Sequence, residues 1–193
     1  IPAGSETAVT GRWVSAPGFD LLKTLNKRFA YLPIIAEDLG IITADVREMI
    51  REFSLPGMKV LMFAFGPGIA ESPYIPHHIP QNCVVYIGTH DNAPILGWFL
   101  AEASEEEKQN LSAYLGREIS VDNANWALIR LAMMSVGNTV ILQMQDVLNL
   151  GMESRMNLPG TNAGNWLWRM NSTHFNPILQ KKIYDMTMLY GRL

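Results

Sequence analysis

A single cysteine, no basic stripe and no apolar run of membrane length remove three classes of protein before any motif is read. Cys83 is the only cysteine among 193 residues and sits in the apolar run Cys83-Val84-Val85-Tyr86-Ile87. It has no partner for an internal disulfide, which excludes a disulfide scaffold and fits a reducing compartment, the cytoplasm. Lys and Arg number 15 against 18 Asp and Glu, a net charge of −3. No stripe of cations is present to neutralise phosphates, which argues against a nucleic-acid partner. No run approaches the roughly 18 apolar residues of a membrane span, so no membrane partner is expected. No signal peptide is visible, and the first residue is Ile1 rather than Met, so the start is expected to lie inside a larger reading frame or after processing. Charged residues are only 17% of the chain and apolar residues 48%. That balance excludes a disordered tail and is enough to bury a core.

What is present is a series of short apolar runs. Leu32–Ala36, Lys59–Phe65, Cys83–Ile87 and Thr139–Met144 are continuous rather than alternating, as expected of parallel strands covered on both faces. Helical spacing surrounds them. Leu22, Leu25 and Phe29 form one stripe, and Val46, Met49, Ile50 and Phe53 a second that Pro56-Gly57 stops. Ser104 with Glu107 is a capping box opening a helix that runs to Gly116. Trp126, Ile129 and Met133 mark another that ends at Gly137, and Asn176-Pro177 opens the last. The acidic run Glu105-Glu106-Glu107 reads as a solvated first turn favoured by the helix dipole. Strand alternating with helix predicts a parallel α/β fold. Four such units make half of a closed eight-stranded barrel, or else an open doubly wound sheet.

Polar residues follow the apolar runs where such folds place their chemistry, at the C-terminal strand ends. Ile34-Ile35-Ala36 leads into Glu37-Asp38, Val85-Tyr86-Ile87 into Thr89-His90-Asp91-Asn92, and Ile141-Leu142 into Gln145-Asp146. Glu37 alone could equally be an ion-paired or capping residue. Glu37 with Asp91 is a pair suited to glycosidic bond cleavage, where one carboxyl protonates the leaving oxygen and the other stays ionised against positive charge on the sugar. Asp38 reads as the structural neighbour, because adjacent strand residues point to opposite sides.

Other chemistries find little support. His77-His78 are adjacent and Cys83 lies mid-strand, so no metal site is expected. No G-x-S-x-G is present. Gly160–Gly164 lacks both the phosphate-loop and the dinucleotide pattern. The loop Gly151–Trp168 holds Arg155, Asn157 and Asn165, which could bond sugar hydroxyls. Trp166 and Trp168 either stack on a sugar face or close the core. Met133, Met134, Met144, Met186 and Met188 read as core filler.

Taken together the segments resemble the 4-α-glucanotransferase (amylomaltase, disproportionating enzyme) family. The matching stretches are Ile1–Ser5 and Gly11–Val14, then Pro33-Ile34-Ile35-Ala36-Glu37-Asp38-Leu39-Gly40, Pro56–Leu61 with Phe63-Ala64-Phe65, and Gly88-Thr89-His90-Asp91-Asn92. They continue through Gln145–Leu148, Arg155–Thr161 and Gly164–Arg169, so the resemblance runs in order from end to end. It implies a (β/α)₈ barrel of which residues 1–193 are the C-terminal portion, with extra helices at about 94–136 between the third and fourth strands. It implies a retaining double displacement between α-1,4-glucans or maltooligosaccharides, with no cofactor and no metal. On matching positions Glu37 is the acid/base and Asp91 the transition-state stabiliser, and His90 and Asn157 contact sugar. The family's nucleophile lies in an Asp-His-Phe-Arg-Gly segment expected upstream of Ile1. The isolated chain is therefore expected to be inactive and to partner the N-terminal half of the barrel.

The sequence departs from the family pattern at Gly66-Pro67, at His78-Ile79 and at Ala93-Pro94-Ile95. These changes bear on donor-side contacts and substrate length. Two rival readings remain open at this point: a non-catalytic glucan-binding module, and a partner-docking fragment.

Overall fold

The computed structural model describes residues 1–29, 33–174 and 176–192. Its centre is a three-stranded parallel sheet in the order β1-β2-β3, formed by Gly57–Val60 (β1), Cys83–Tyr86 (β2) and Thr139–Ile141 (β3). Gly57 pairs with Cys83 and Val60 with Tyr86, while Val84 pairs with Thr139 and Tyr86 with Ile141. The parallel arrangement is as the sequence indicates, and three of the four expected apolar runs supply the strands, although Lys59–Phe65 is strand only to Val60 and then forms a 3-10 turn at Leu61–Phe63. The central strand is buried for three of its four residues, as a strand covered on both faces should be. β3 differs: Thr139 and Ile141 are exposed, because no further strand lies beyond it among the described residues.

The first expected strand, Leu32–Ala36, is not part of the ladder. Leu32 lies outside the described residues, and residues 33–36 carry no strand pairing. One bond, from the Ala36 N–H to the Pro56 carbonyl at 2.9 Å, holds this segment beside the entrance to β1. The Thr139–Met144 run also ends early as a strand. Gln143 turns the chain, and the four-residue helix α6 (Met144–Val147) begins at once.

Helices surround the sheet. Gly18–Arg28 (α1) and Ala44–Glu52 (α2) precede β1 at the spacing read from the apolar stripes. The β1-to-β2 connection holds only short 3-10 turns. Pro67, Pro73, Pro76 and Pro80, with Gly66 and Gly68, leave no stretch that can sustain helical hydrogen bonds. Between β2 and β3 come α3 (Ile95–Gly97), a π-helical turn at Trp98–Glu102, α4 (Glu105–Leu115) and α5 (Ala124–Met133). The expected capping box opens α4: Ser104 Oγ accepts from the Glu107 N–H and Glu107 Oε2 accepts from the Ser104 N–H. Gly116 closes it at φ 64°, a left-handed conformation that glycine adopts without steric cost. The last helix, α7 (Pro177–Leu189), is capped by Asn176, whose Oδ1 accepts from the Leu179 N–H at 3.0 Å.

The core lies between the sheet and the α3–α5 layer. Val60, Leu61, Phe65, Val85, Ile87, Ile95, Leu111, Leu128 and Ile129 are fully buried there. α5 contributes most, with Ala127, Leu128, Leu131 and Ala132 all inside. Arg192 follows α7 and donates to the carbonyls of Met133, Ser135 and Gly137, satisfying groups that the end of α5 leaves open. Met133 and Met186 are buried as expected, but Met134 and Met188 are about half exposed and fill no core. One groove crosses the starts of the strands, lined by Pro33–Ile35, Pro56, Val84 and Thr139, and another runs between β3 and α7.

Candidate active site at the strand ends

The C-terminal end of β2 opens into the loop Gly88–Pro94, and most of the candidate side chains converge on it. The loop is built from its own residues first. Asn92 Oδ1 accepts from both the backbone N–H and the hydroxyl of Thr89, at 2.8 and 3.0 Å. Gln143, leaving β3, donates from Nε2 to the Thr89 carbonyl at 3.0 Å and ties the neighbouring strand end to it. Below the loop, Ala93 is fully buried and Gly88 is packed close to Met62 and Asn92, so the turn is seated on the core.

Asp91 rises from this seat with its side chain 47% exposed, able to meet a ligand yet held from three directions. Asn157 donates from Nδ2 to Asp91 Oδ1 at 2.6 Å, and the same oxygen lies 3.4 Å from His90 Nε2. Arg155 donates from Nη2 to the Asp91 carbonyl at 2.7 Å. The loop carrying Arg155 and Asn157 is itself anchored by a bond from the Asn157 N–H to the His90 carbonyl at 3.0 Å. Thus three of the four residues read from the sequence, His90, Asp91 and Asn157, form one hydrogen-bonded group.

Glu37 stands on the segment held beside the entrance to β1. Its side chain is exposed, while Asp38 turns inward: Asp38 Oδ1 accepts the Met58 N–H at 2.6 Å and Oδ2 lies 3.6 Å from Lys59 Nζ. The reading of Asp38 as the structural member of the pair is thereby met. The Tyr86 hydroxyl is pushed above its usual value first by burial and then by the negative charge of Glu37.

The third strand-end carboxylate has another fate. Asp146 is 1% exposed and does not face the loops. Its Oδ1 accepts the Ile95 N–H at 2.7 Å, its carbonyl accepts from Asn125 Nδ2 at 3.2 Å, and its Oδ2 has no partner among the described residues. Burial raises its pKa from 3.8 to about 7, offset in part by the Ile95 bond. Asp146 thus serves the first turn of α3 from within the core.

Three further expectations change. Arg155, read as a sugar contact, spends its guanidinium on protein groups instead: Asp91, the Asn157 carbonyl and Glu102. Asn165 is bonded inside its own loop, accepting from the Leu158 N–H and donating to Thr161. Trp166 does not close the core; it is 50% exposed, and its ring centroid lies 5.0 Å from that of His90. Its backbone is left-handed at φ 62°, rare for a bulky residue, and is held there by bonds to Met156 and from Arg169. The contributions of Gln143 and Glu102 had no sequence signal, since each acts through a contact that only folding creates. Among the described residues no group of three or more His, Cys, Asp or Glu is placed to hold a metal ion.

The fold and this site define a parallel α/β protein with acidic and aromatic side chains gathered at its strand ends. The family model described as 4-alpha-glucanotransferase matches residues 1–174, and the chain belongs to that family. It is 47% identical to a 4-alpha-glucanotransferase of Aquifex aeolicus and 43% identical to one of Clostridium butyricum, each over the whole of this chain and 39% of the relative. An amylomaltase of Streptococcus agalactiae, solved in complex with acarbose, superposes with a TM-score of 0.92 at 35% identity, over 100% of this chain and 38% of that one. The chain thus spans well under half the length of the relatives it matches. No helix among the described residues is long and apolar enough to cross a membrane.

Proposed function

We propose that residues 1–193 are the C-terminal half of a (β/α)₈ barrel in a 4-α-glucanotransferase, a single catalytic domain whose helices at about 94–136 are an insertion. The enzyme moves a segment of an α-1,4-glucan to the 4-hydroxyl of another glucan or of glucose, by a retaining double displacement that calls for no cofactor. Glu37 protonates the departing glycosidic oxygen and then takes the proton of the incoming hydroxyl. Asp91 stays ionised and answers the positive charge that develops on the sugar ring. His90 and Asn157 bond sugar hydroxyls with the hydrogen-bonding capacity left after holding Asp91, and Trp166 offers a ring face. The nucleophilic aspartate comes from the part of the barrel that precedes Ile1 in the relatives, and the cytoplasm is the expected location.

The observation that carries this reading is the half-exposed Asp91 carboxylate, fixed at the mouth of β2 by Asn157 and flanked by His90. Held in place by its neighbours yet open to a ligand, this carboxylate can answer positive charge without reorganising, and an oxocarbenium-like sugar is cationic only in the transition state. The test is Glu37→Gln in the enzyme made from its full reading frame. General acid/base help is worth roughly 10²–10⁴ in rate. Glucose and maltopentaose formation from maltotriose should fall by that factor while the circular dichroism spectrum is unchanged. Near-normal turnover in the folded variant would remove Glu37 from the role.

A further inference from the structure

Arg155 is the cation nearest the Asp91 backbone, and none of its three bonds goes to solvent-facing ligand space. Nη2 donates to the Asp91 carbonyl at 2.7 Å, Nε to the Asn157 carbonyl at 3.0 Å, and Nη1 to Glu102 Oε1 at 2.8 Å. Its side chain is only 15% exposed. Each acceptor belongs to a different segment. Asp91 is in the loop after β2, Asn157 in the loop after α6, and Glu102 at the end of the π-helical turn that continues α3.

We propose that Arg155 is a positioning residue, one that sets the place of the Asp91 carboxylate by fixing both ends of the Asn157–Asp91 hydrogen bond at once. This rests on the reading of Asp91 as the charge-stabilising group. The Asn157 amide fixes Asp91 Oδ1 at 2.6 Å, but an amide can orient a carboxylate only as well as its own backbone is held. Arg155 holds that backbone through the Asn157 carbonyl and holds the backbone of Asp91 through its carbonyl. The planar guanidinium makes the two separations mutually dependent. Glu102 in turn fixes the plane of the guanidinium, so the turn following α3 decides the angle at which the clamp acts. A lysine ammonium keeps the charge but cannot span three acceptors in one plane. A shift of about 1 Å in such a group costs about 10²-fold in rate even when the mutated residue never meets substrate.

The experiment is a double-mutant cycle in the full-reading-frame enzyme, with kcat, KM and melting temperature measured for maltotriose disproportionation by Arg155→Lys, Asp91→Asn and the pair. Arg155→Lys is expected to lower kcat by about 10- to 10²-fold with KM changed less than about threefold. In the Asp91→Asn background the same change is expected to cost less than about threefold more, because the charge it places is gone. Glu102→Gln, which leaves the guanidinium's bonds to Asp91 and Asn157, should give a smaller kcat loss of the same kind and serves if Arg155→Lys fails to fold. Full additivity of the pair, or an Arg155→Lys and Glu102→Gln kcat equal to that of the parent, overturns the positioning role. If instead Asp91→Asn alone turns over near normally, the underlying assignment of Asp91 has failed, and the inference falls with it.

Discussion

Asn157 reaches the Asp91 loop twice: its side-chain amide donates to Asp91 Oδ1 at 2.6 Å while its backbone N–H donates to the His90 carbonyl at 3.0 Å. Asn157→Ala keeps the second bond and deletes the first, so it isolates the orienting amide. A hydrogen bond to a charged group is worth about 1.5–3 kcal/mol, which predicts roughly a 10- to 100-fold loss of kcat/KM in the full-length enzyme. Glucose release from maltotriose measures it. Equal rates for variant and parent would mean that Asp91 is placed without Asn157.

Asp91→Asn changes a charge and almost no volume. Preorganised electrostatic groups of this kind are worth about 3–4 kcal/mol in the transition state, so kcat should fall by two to three orders of magnitude. Dissociation constants for a ground-state maltooligosaccharide should move far less, as titration calorimetry can show. Equal losses in rate and binding would make Asp91 a binding residue.

The buried carboxyl of Asp146 predicts a stability profile. Its pKa is about 7 in the folded chain against 3.8 in the unfolded one, so between those values only the folded state keeps the proton. The stability it contributes is therefore complete below about pH 4 and is lost as the pH rises to about 7. Asp146→Asn retains an oxygen to accept from Ile95 and cannot ionise. Its melting temperature should match the parent's at pH 5 to within a few degrees and exceed it at pH 8, where the difference in stability is at most ~4 kcal/mol. Parallel melting curves at both pH values would show that Asp146 does not titrate in this range.

The 193-residue chain by itself should not disproportionate maltotriose. A retaining mechanism needs a nucleophilic carboxylate roughly 5 Å from the acid/base, and the proposed function takes that aspartate from outside these residues. The bare β3 margin, with Thr139 and Ile141 exposed, should also make the isolated chain self-associate, which sedimentation velocity would register. Robust formation of glucose and longer oligosaccharides by this chain would relocate the nucleophile within these residues.

How far the sequence carries the fold can be judged from particular segments. Cys83–Ile87 was legible as a buried parallel strand because β2 is covered on both faces and its apolar run has no alternation to misread. The Ser104–Glu107 box was legible because capping is local chemistry, settled within four residues. Leu32–Ala36 misled, since an apolar run shows burial potential but not whether a ladder partner is at hand. The site divides in the same way. His90 and Asp91 could be placed at a strand end from the chain alone, whereas the roles of Arg155, Gln143 and Asp146 depend on partners 51 to 64 residues away. No periodicity encodes such pairings. Arg155 illustrates the cost: a polar residue in a loop beside the site looks like a ligand contact until each of its three nitrogens is seen to bond a protein acceptor.

The packing of Asp38 against the start of β1 has a consequence for sequence drift. A methyl group added at Gly57 would sit 2.6 Å from Asp38 Oδ2, and that same carboxylate receives the Met58 N–H and faces Lys59. Positions 38, 57 and 59 are therefore coupled, although the first lies 19 and 21 residues from the others. A larger residue at 57 requires the Asp38 carboxylate to move, which gives up its bond from the Met58 N–H and leaves the part-buried Lys59 ammonium without that partner.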